Sequence, residues 1–125
     1  MTSVILIVQN LSYTLKTYRL MIITTNDDTY YHVGFTSDFT FKLIMKLLEG
    51  KVMKYEETNI ETRFKATGID DTTVTIIKFI VGHSDNELRR IVCDDYDDEE
   101  VDGISSKELY ERILAYMLIF PHDRA

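Results

Sequence analysis

Apolar and polar positions along the first third of the chain follow the patterns of strands. Residues 3–8 form a short apolar run typical of a buried strand, and residues 13–25 are rich in β-branched and aromatic side chains. Residues 26–28, Asn-Asp-Asp, have turn chemistry, and residues 29–35 resume the strand pattern. This part therefore predicts three strands, of which the last two form a hairpin.

The pattern then changes to a helical period. Ser37 and Asp38 are candidate N-caps for a helix over residues 39–49, and Gly50 is a suitable stop. The apolar side chains recur at the spacing of one helix face. They are Phe41, Ile44, Met45 and Leu48.

The middle of the chain mixes clear and ambiguous patterns. Residues 61–67 alternate as a half-exposed strand does, with Glu61, Arg63 and Lys65 on the polar side. Residues 72–81 are dense in β-branched side chains, which favours a central strand. Residues 87–93 fit either a strand or a short helix.

A second amphipathic helix is predicted near the C-terminus. Ser105 and Glu108 match a capping box, in which each side chain accepts from the other residue's backbone N–H, and Pro121 ends the element. The apolar stripe consists of Leu109, Ile113, Tyr116, Met117 and Phe120. The predicted order of elements is βββα followed by βββα. This order is compatible with a weak internal pseudo-repeat of the βββα unit.

These elements predict an α+β fold of two layers, a mostly antiparallel sheet of five to six strands with two amphipathic helices on one face. The 125 residues suit a single globular domain spanning residues 1–125. The only cysteine, Cys93, excludes an intramolecular disulfide and fits a reducing compartment. The apolar run at 3–8 lacks the basic flank of a signal peptide, so we expect a cytoplasmic protein without membrane association.

The charge of the chain is concentrated in one short stretch. Its formal net charge is −7, and seven carboxylates fall within residues 94–102, so the remaining 14 acidic side chains equal the 14 basic ones. The seven are Asp94, Asp95, Asp97, Asp98, Glu99, Glu100 and Asp102. Like charges this close together repel one another and keep the backbone in contact with solvent. This predicts an acidic surface loop at residues 94–104. It also disfavours direct binding to duplex nucleic acid or to anionic lipid.

We therefore expect these seven residues to bind a basic protein or the electropositive surface of a complex. The sequence favours a small non-enzymatic binding or inhibitory protein, of the general character of small acidic phage inhibitors of nucleic-acid-processing machinery. Homo-oligomer formation is compatible with the sequence. The sequence predicts no catalytic residue and no cofactor, because it contains neither a phosphate-binding loop nor zinc-site spacing.

One alternative function is a degenerate EF-hand-like cation-binding module at residues 97–108. Asp97, Glu99 and Glu108 stand at loop positions 1, 3 and 12, where calcium ligands occur. Val101 removes an oxygen ligand at position 5, and Gly103 comes one residue after the required turn. We therefore expect no metal site.

A second alternative is a small nucleotide binder or enzyme that uses the strand at 29–35. Alternation places Tyr30 and His32 on one face and Tyr31, Val33 and Phe35 on the other. If the first face is exposed, Tyr30 and His32 offer a stacking and hydrogen-bonding surface. The sequence His83-Ser84-Asp85 has the residue types of a catalytic triad, but its composition favours a turn.

Overall fold

The computed structural model of the chain describes residues 2–7, 19–35, 37–58, 61–93 and 99–119. The strands are β1 Thr2–Ile7, β2 Arg19–Thr24, β3 Thr29–Phe35, β4 Val52–Glu57 and β5 Glu61–Ala66. The helices are α1 Asp38–Leu47, α2 Asp71–Val81, α3 Asp85–Val92, α4 Glu99–Gly103 and α5 Ser106–Ile119. Residues 13–18 of the predicted second strand lie outside the described residues.

The five strands form one sheet in the order β1-β3-β2-β5-β4. The pairs β2–β3 and β4–β5 are antiparallel, whereas β1–β3 and β2–β5 are parallel. Asp28 takes a left-handed conformation, with φ 62°, in the turn between β2 and β3. The α+β class is confirmed, but the sheet is mixed rather than mostly antiparallel. β1 is an edge strand, and Ile5 is 65% exposed, which corrects the expectation of a buried strand.

The helices cover one face of this sheet. Side chains from alternate positions of β2, β3 and β5 form one hydrophobic cluster with the apolar faces of the helices. The strand residues in the cluster are Met21, Ile23, Val33, Phe35, Phe64 and Ala66. Side chains at the intervening positions, such as His32, Arg63 and Lys65, lie outside this cluster, on the opposite face.

The segment predicted as a central strand is instead α2, so that prediction is wrong. Thr73, Ile76, Ile77 and Ile80 are buried at helical spacing, and the Asp70 carboxylate caps the helix by accepting from the Thr73 N–H at 2.8 Å. β-Branched residues have only a weak preference against helices, which burial on several sides overrides. Their strand-like composition concealed the helical period.

The ambiguous segment that follows is helical. α3 begins after Ser84, whose hydroxyl accepts from the Glu87 N–H while the Glu87 carboxylate accepts from the Ser84 N–H. This capping box separates α3 from α2. Among the described residues, the second half of the chain contains two strands and four helices rather than three strands and one helix. The predicted βββα repeat is therefore wrong.

α5 packs by the stripe predicted for it. Leu109, Ile113 and Met117 are buried, whereas Phe120 and Pro121 lie outside the described residues. The Ser105 hydroxyl accepts from the Glu108 N–H at 3.1 Å, but the Glu108 carboxylate accepts from Arg112 at 2.9 Å. No helix in the described part of the chain is long and apolar enough to cross a membrane.

Candidate functional site

The acidic segment, residues 94–102, begins just after Cys93, which follows α3, and ends within α4. Before it, Cys93 is buried and its N–H donates to the Arg89 carbonyl at 2.8 Å. At its other end, residues 99–102 belong to α4. Asp94, Asp95, Asp97 and Asp98 lie outside the described residues. The structure therefore fixes both connections of the segment to the helical layer.

Val101 anchors the end of the acidic segment. Its side chain is fully buried in the core, and Ile104 just after α4 is buried as well. The neighbouring Asp102 is exposed, and its carboxylate forms an ion pair with Lys42 Nζ at 3.3 Å. Its backbone carbonyl accepts from Lys46 Nζ at 3.4 Å. These contacts hold α4 against α1, so the prediction of a loop is wrong for residues 99–103. In the sequence, the feature that indicates α4 is the apolar Val101 within a run of carboxylates.

The ion pair of Asp102 has a modest energetic role. Asp102 and Lys42 are both accessible to solvent, and pairs of this kind stabilise a protein by about 0–1 kcal/mol. A groove of about 330 Å³ lies beside this contact, lined in part by Phe41 and Met45 of α1 and by Val101 of α4. Asp102 therefore contributes to the contact between α4 and α1.

The window that resembles a calcium loop has other structural roles. Val101, at loop position 5, is buried, and Ser105, at position 9, caps α5. Glu108, at position 12, is paired with Arg112. Asp97 lies outside the described residues, and within the described ranges no group of three His, Cys, Asp or Glu side chains could hold a metal ion. These contacts explain Ser105 and Glu108 without a cation.

Tyr30 and His32 lie together on the sheet face opposite the helices. Tyr30 pairs with Thr24 of β2, and His32 lies between Ile22 of β2 and Ile5 of β1. Both side chains are half-buried. The core lies on the other side of β3, where Val33 and Phe35 are buried and Tyr31 packs against them. The alternation read from the sequence therefore describes this strand correctly.

The same face continues across β5 and β4 with basic side chains. Thr24 pairs with Lys65, which in turn pairs with Lys54 of β4, and all three belong to one row of the sheet. Arg63, two residues from Lys65, donates from Nε to Glu61 at 2.7 Å. The hydrogen bond and charge of Glu61 raise the pKa of Arg63. The alternation in the sequence predicts that Arg63 and Lys65 lie on the same exposed side of their strand. It does not predict that this strand lies between β2 and β4.

A separate cavity of about 390 Å³ lies between the start of β2 and the end of β4. Its lining includes Arg19, Phe41 and Tyr55. Arg19 is already engaged, because its Nη2 lies 2.6 Å from Asp38 Oδ1 and its guanidinium carbon lies 4.8 Å from the centre of the Phe35 ring. Arg19 therefore ties β2 to α1, which explains its position without a ligand.

Among the residues that the structure describes, three carboxyl groups have a lowered pKa, and each shift has a local structural cause. A hydrogen bond from the Thr25 hydroxyl lowers the pKa of Asp27 in the hairpin turn. Hydrogen bonds from Thr73 lower the pKa of Asp70, and the backbone N–H of Ser84 lowers that of Glu87. These groups stabilise a turn and two helix N-termini, so their shifts do not identify a catalytic centre.

The structure gives His83, Ser84 and Asp85 separate partners. His83 Nδ1 lies 2.8 Å from the Phe79 carbonyl, and Asp85 accepts from the Ser37 hydroxyl at 2.8 Å. Ser84 caps α3. The three side chains form no relay. Ser84 precedes α3, but Asp85 is the first residue of this helix, so the turn predicted for the three residues is wrong for Asp85.

The chain matches no protein-family model, and comparison with curated proteins and with solved structures gives no significant match. The function must therefore be argued from the arrangement of residues alone.

Proposed function

We propose that this protein is a small cytoplasmic, non-enzymatic binding protein that inhibits or recruits a partner through its acidic segment. The partner would be a basic protein or the electropositive surface of a protein complex. One observation carries the proposal: the seven carboxylates of residues 94–102 account for the whole net charge of −7. Charge this concentrated attracts a basic surface from a distance and orients the encounter.

The anchoring of the acidic segment supports a role in recognition. Cys93 and Val101, both buried, fix where the segment leaves and rejoins the helical layer. A charged stretch that is held at both ends loses less conformational entropy on binding than a free tail does. The acidic segment thus combines high charge with buried attachment points at Cys93 and Val101, a combination suited to an electropositive partner.

Affinity capture from the native host tests this proposal. The wild-type protein and two charge variants serve as baits. The test variant replaces Asp97 and Asp98 with Asn and Glu99 and Glu100 with Gln, which changes the formal net charge from −7 to −3. We expect the wild type to retain a partner that this variant loses. Association of the captured partner should also slow with added salt, because exposed charges are screened beyond about 8 Å at physiological ionic strength.

The control variant removes the same amount of charge elsewhere. It carries Asp28→Asn, Glu57→Gln, Asp71→Asn and Glu111→Gln, all at exposed positions of the described chain. This control should capture the partner as the wild type does. Equal loss in both variants would show that only net charge matters, and equal retention in both would show that the acidic segment does not bind the partner.

A further inference from the structure

A row of polar side chains crosses four strands on the sheet face opposite the helices. Tyr30 of β3 pairs with Thr24 of β2, Thr24 pairs with Lys65 of β5, and Lys65 pairs with Lys54 of β4. Side chains of directly paired residues start about 5 Å apart on the same face. The register therefore starts two lysine side chains next to each other, with a threonine beside them and a tyrosine at the end of the row.

The pairing of Lys54 with Lys65 is unfavourable in the protein alone, because like charges directly opposite each other destabilise a sheet. The Glu61 carboxylate accepts from Arg63 Nε at 2.7 Å, and Glu56, which lies opposite Arg63 in the register, also lines the cleft beside the lysines. Within the described residues, neither lysine has a salt-bridge partner. A lysine on an edge strand can prevent edge-to-edge pairing, but this does not require a second lysine opposite it.

We propose that this row binds a mononucleotide, with its phosphate between Lys54 and Lys65 and its base against the ring of Tyr30. Phosphate oxygens accept hydrogen bonds from several donors at once, so one phosphate can satisfy both ammonium groups and remove their repulsion. The Thr24 hydroxyl lies in the same row and can donate to the phosphate or to the sugar.

A small cleft lies beside the two lysines, and Tyr30 lies outside its lining. A cleft of about 230 Å³ is lined in part by Thr24, Lys54, Arg63 and Lys65. This volume is below the roughly 300–1,000 Å³ of pockets that enclose a drug-sized ligand, so it suits a phosphate and sugar rather than a whole nucleotide. The base would lie over Tyr30, two strands away from Lys65 and therefore about 10 Å distant. Stacking on an aromatic ring holds bases without requiring a deep pocket.

The charge of the chain favours a single nucleotide over a polymer. A longer nucleic acid would bring further phosphates over a protein of net charge −7, and counterion release would be limited to a few basic side chains. The site uses none of the residues of the acidic segment. The proposal therefore stands or fails independently of the proposed function.

Titrations followed by NMR chemical shifts test the site with three probes: AMP, adenosine and inorganic phosphate. We expect AMP to bind saturably at millimolar or lower concentration, and to bind more tightly than either of the other two. Lys54→Gln and Lys65→Gln should each weaken AMP binding about five- to tenfold, because each removes a charge-assisted hydrogen bond. Lys78→Gln, at an exposed position of α2, is the matched control and should change it less than about twofold.

Two variants of Tyr30 test the position of the base. Tyr30→Leu should weaken AMP binding, and Tyr30→Phe should restore it, since the phenyl ring keeps the stacking surface. The proposal is overturned if AMP does not bind at 10 mM, or if Lys78→Gln weakens binding as much as Lys65→Gln. It is also overturned if inorganic phosphate binds as tightly as AMP and Tyr30→Leu has no effect. Circular dichroism confirms that each variant is folded.

Discussion

The packing of α5 makes a quantitative prediction about stability. Ile113 is completely buried in the core cluster, on a helix that contacts α1, α2 and α3. Ile113→Ala removes three carbon atoms from this site. At about 0.8 kcal/mol for each buried carbon, the transfer term alone is roughly 2.5 kcal/mol, and the remaining cavity adds to it.

We therefore expect Ile113→Ala to lower the free energy of unfolding by roughly 2–5 kcal/mol. This is a large share of the roughly 5–15 kcal/mol typical of a folded domain, and it corresponds to a fall in melting temperature of about 10 °C or more. Urea unfolding followed by circular dichroism measures the change as a shift in midpoint at unchanged slope.

Leu118→Ala provides the control, because Leu118 lies in the same helix and its side chain is 70% exposed. It should change the free energy of unfolding by no more than about 0.5 kcal/mol. If Ile113→Ala costs less than about 1 kcal/mol, or no more than Leu118→Ala, the stripe of α5 does not pack against the core as described.

Two further predictions concern carboxylates with assigned structural roles. Hydrogen bonds from Thr73 lower the pKa of Asp70, so its contribution to stability is complete above the pKa of the unfolded chain and is lost as the pH falls through the lower folded pKa. Asp70→Ala should therefore lower the free energy of unfolding by about 0.5–2 kcal/mol at pH 7, and by progressively less below about pH 4. Urea unfolding that shows the same loss of stability down to about pH 3 would contradict this. We expect no site-specific calcium binding at micromolar concentration, because Glu108 pairs with Arg112 and Val101 is buried; a saturable site in isothermal calorimetry that Glu108→Gln abolishes would refute this.

Local chemistry predicted much of the secondary structure. The turn at residues 26–28, the helix after Ser37 and the stripe of α5 each depend on side chains close in sequence. α2 was missed because its β-branched residues favour a strand on propensity alone, whereas contacts on several sides of the helix decide the outcome. The seven carboxylates of residues 94–102 predict a loop, whereas α4 depends on the burial of the single apolar residue Val101 against the helical layer.

Strand pairing could not be predicted from local patterns. The parallel pairs β1–β3 and β2–β5 join segments that are separated along the chain, and no local pattern encodes which strands become neighbours. The candidate site depends on those pairings. Tyr30 and His32 could be placed on one face, but their relation to Lys54 and Lys65 follows only from the register of four strands.

The central position of β2 has a consequence for the order in which the chain folds. β2 joins β3 through the short turn at residues 25–28, but it joins β5 only after residues 25–60 have been enclosed. The second loop is about nine times longer, and closing it costs about 2 kcal/mol more in chain entropy. We therefore expect the β2–β3 hairpin to form from local contacts before the parallel junction with β5, because that junction requires the longer loop to close.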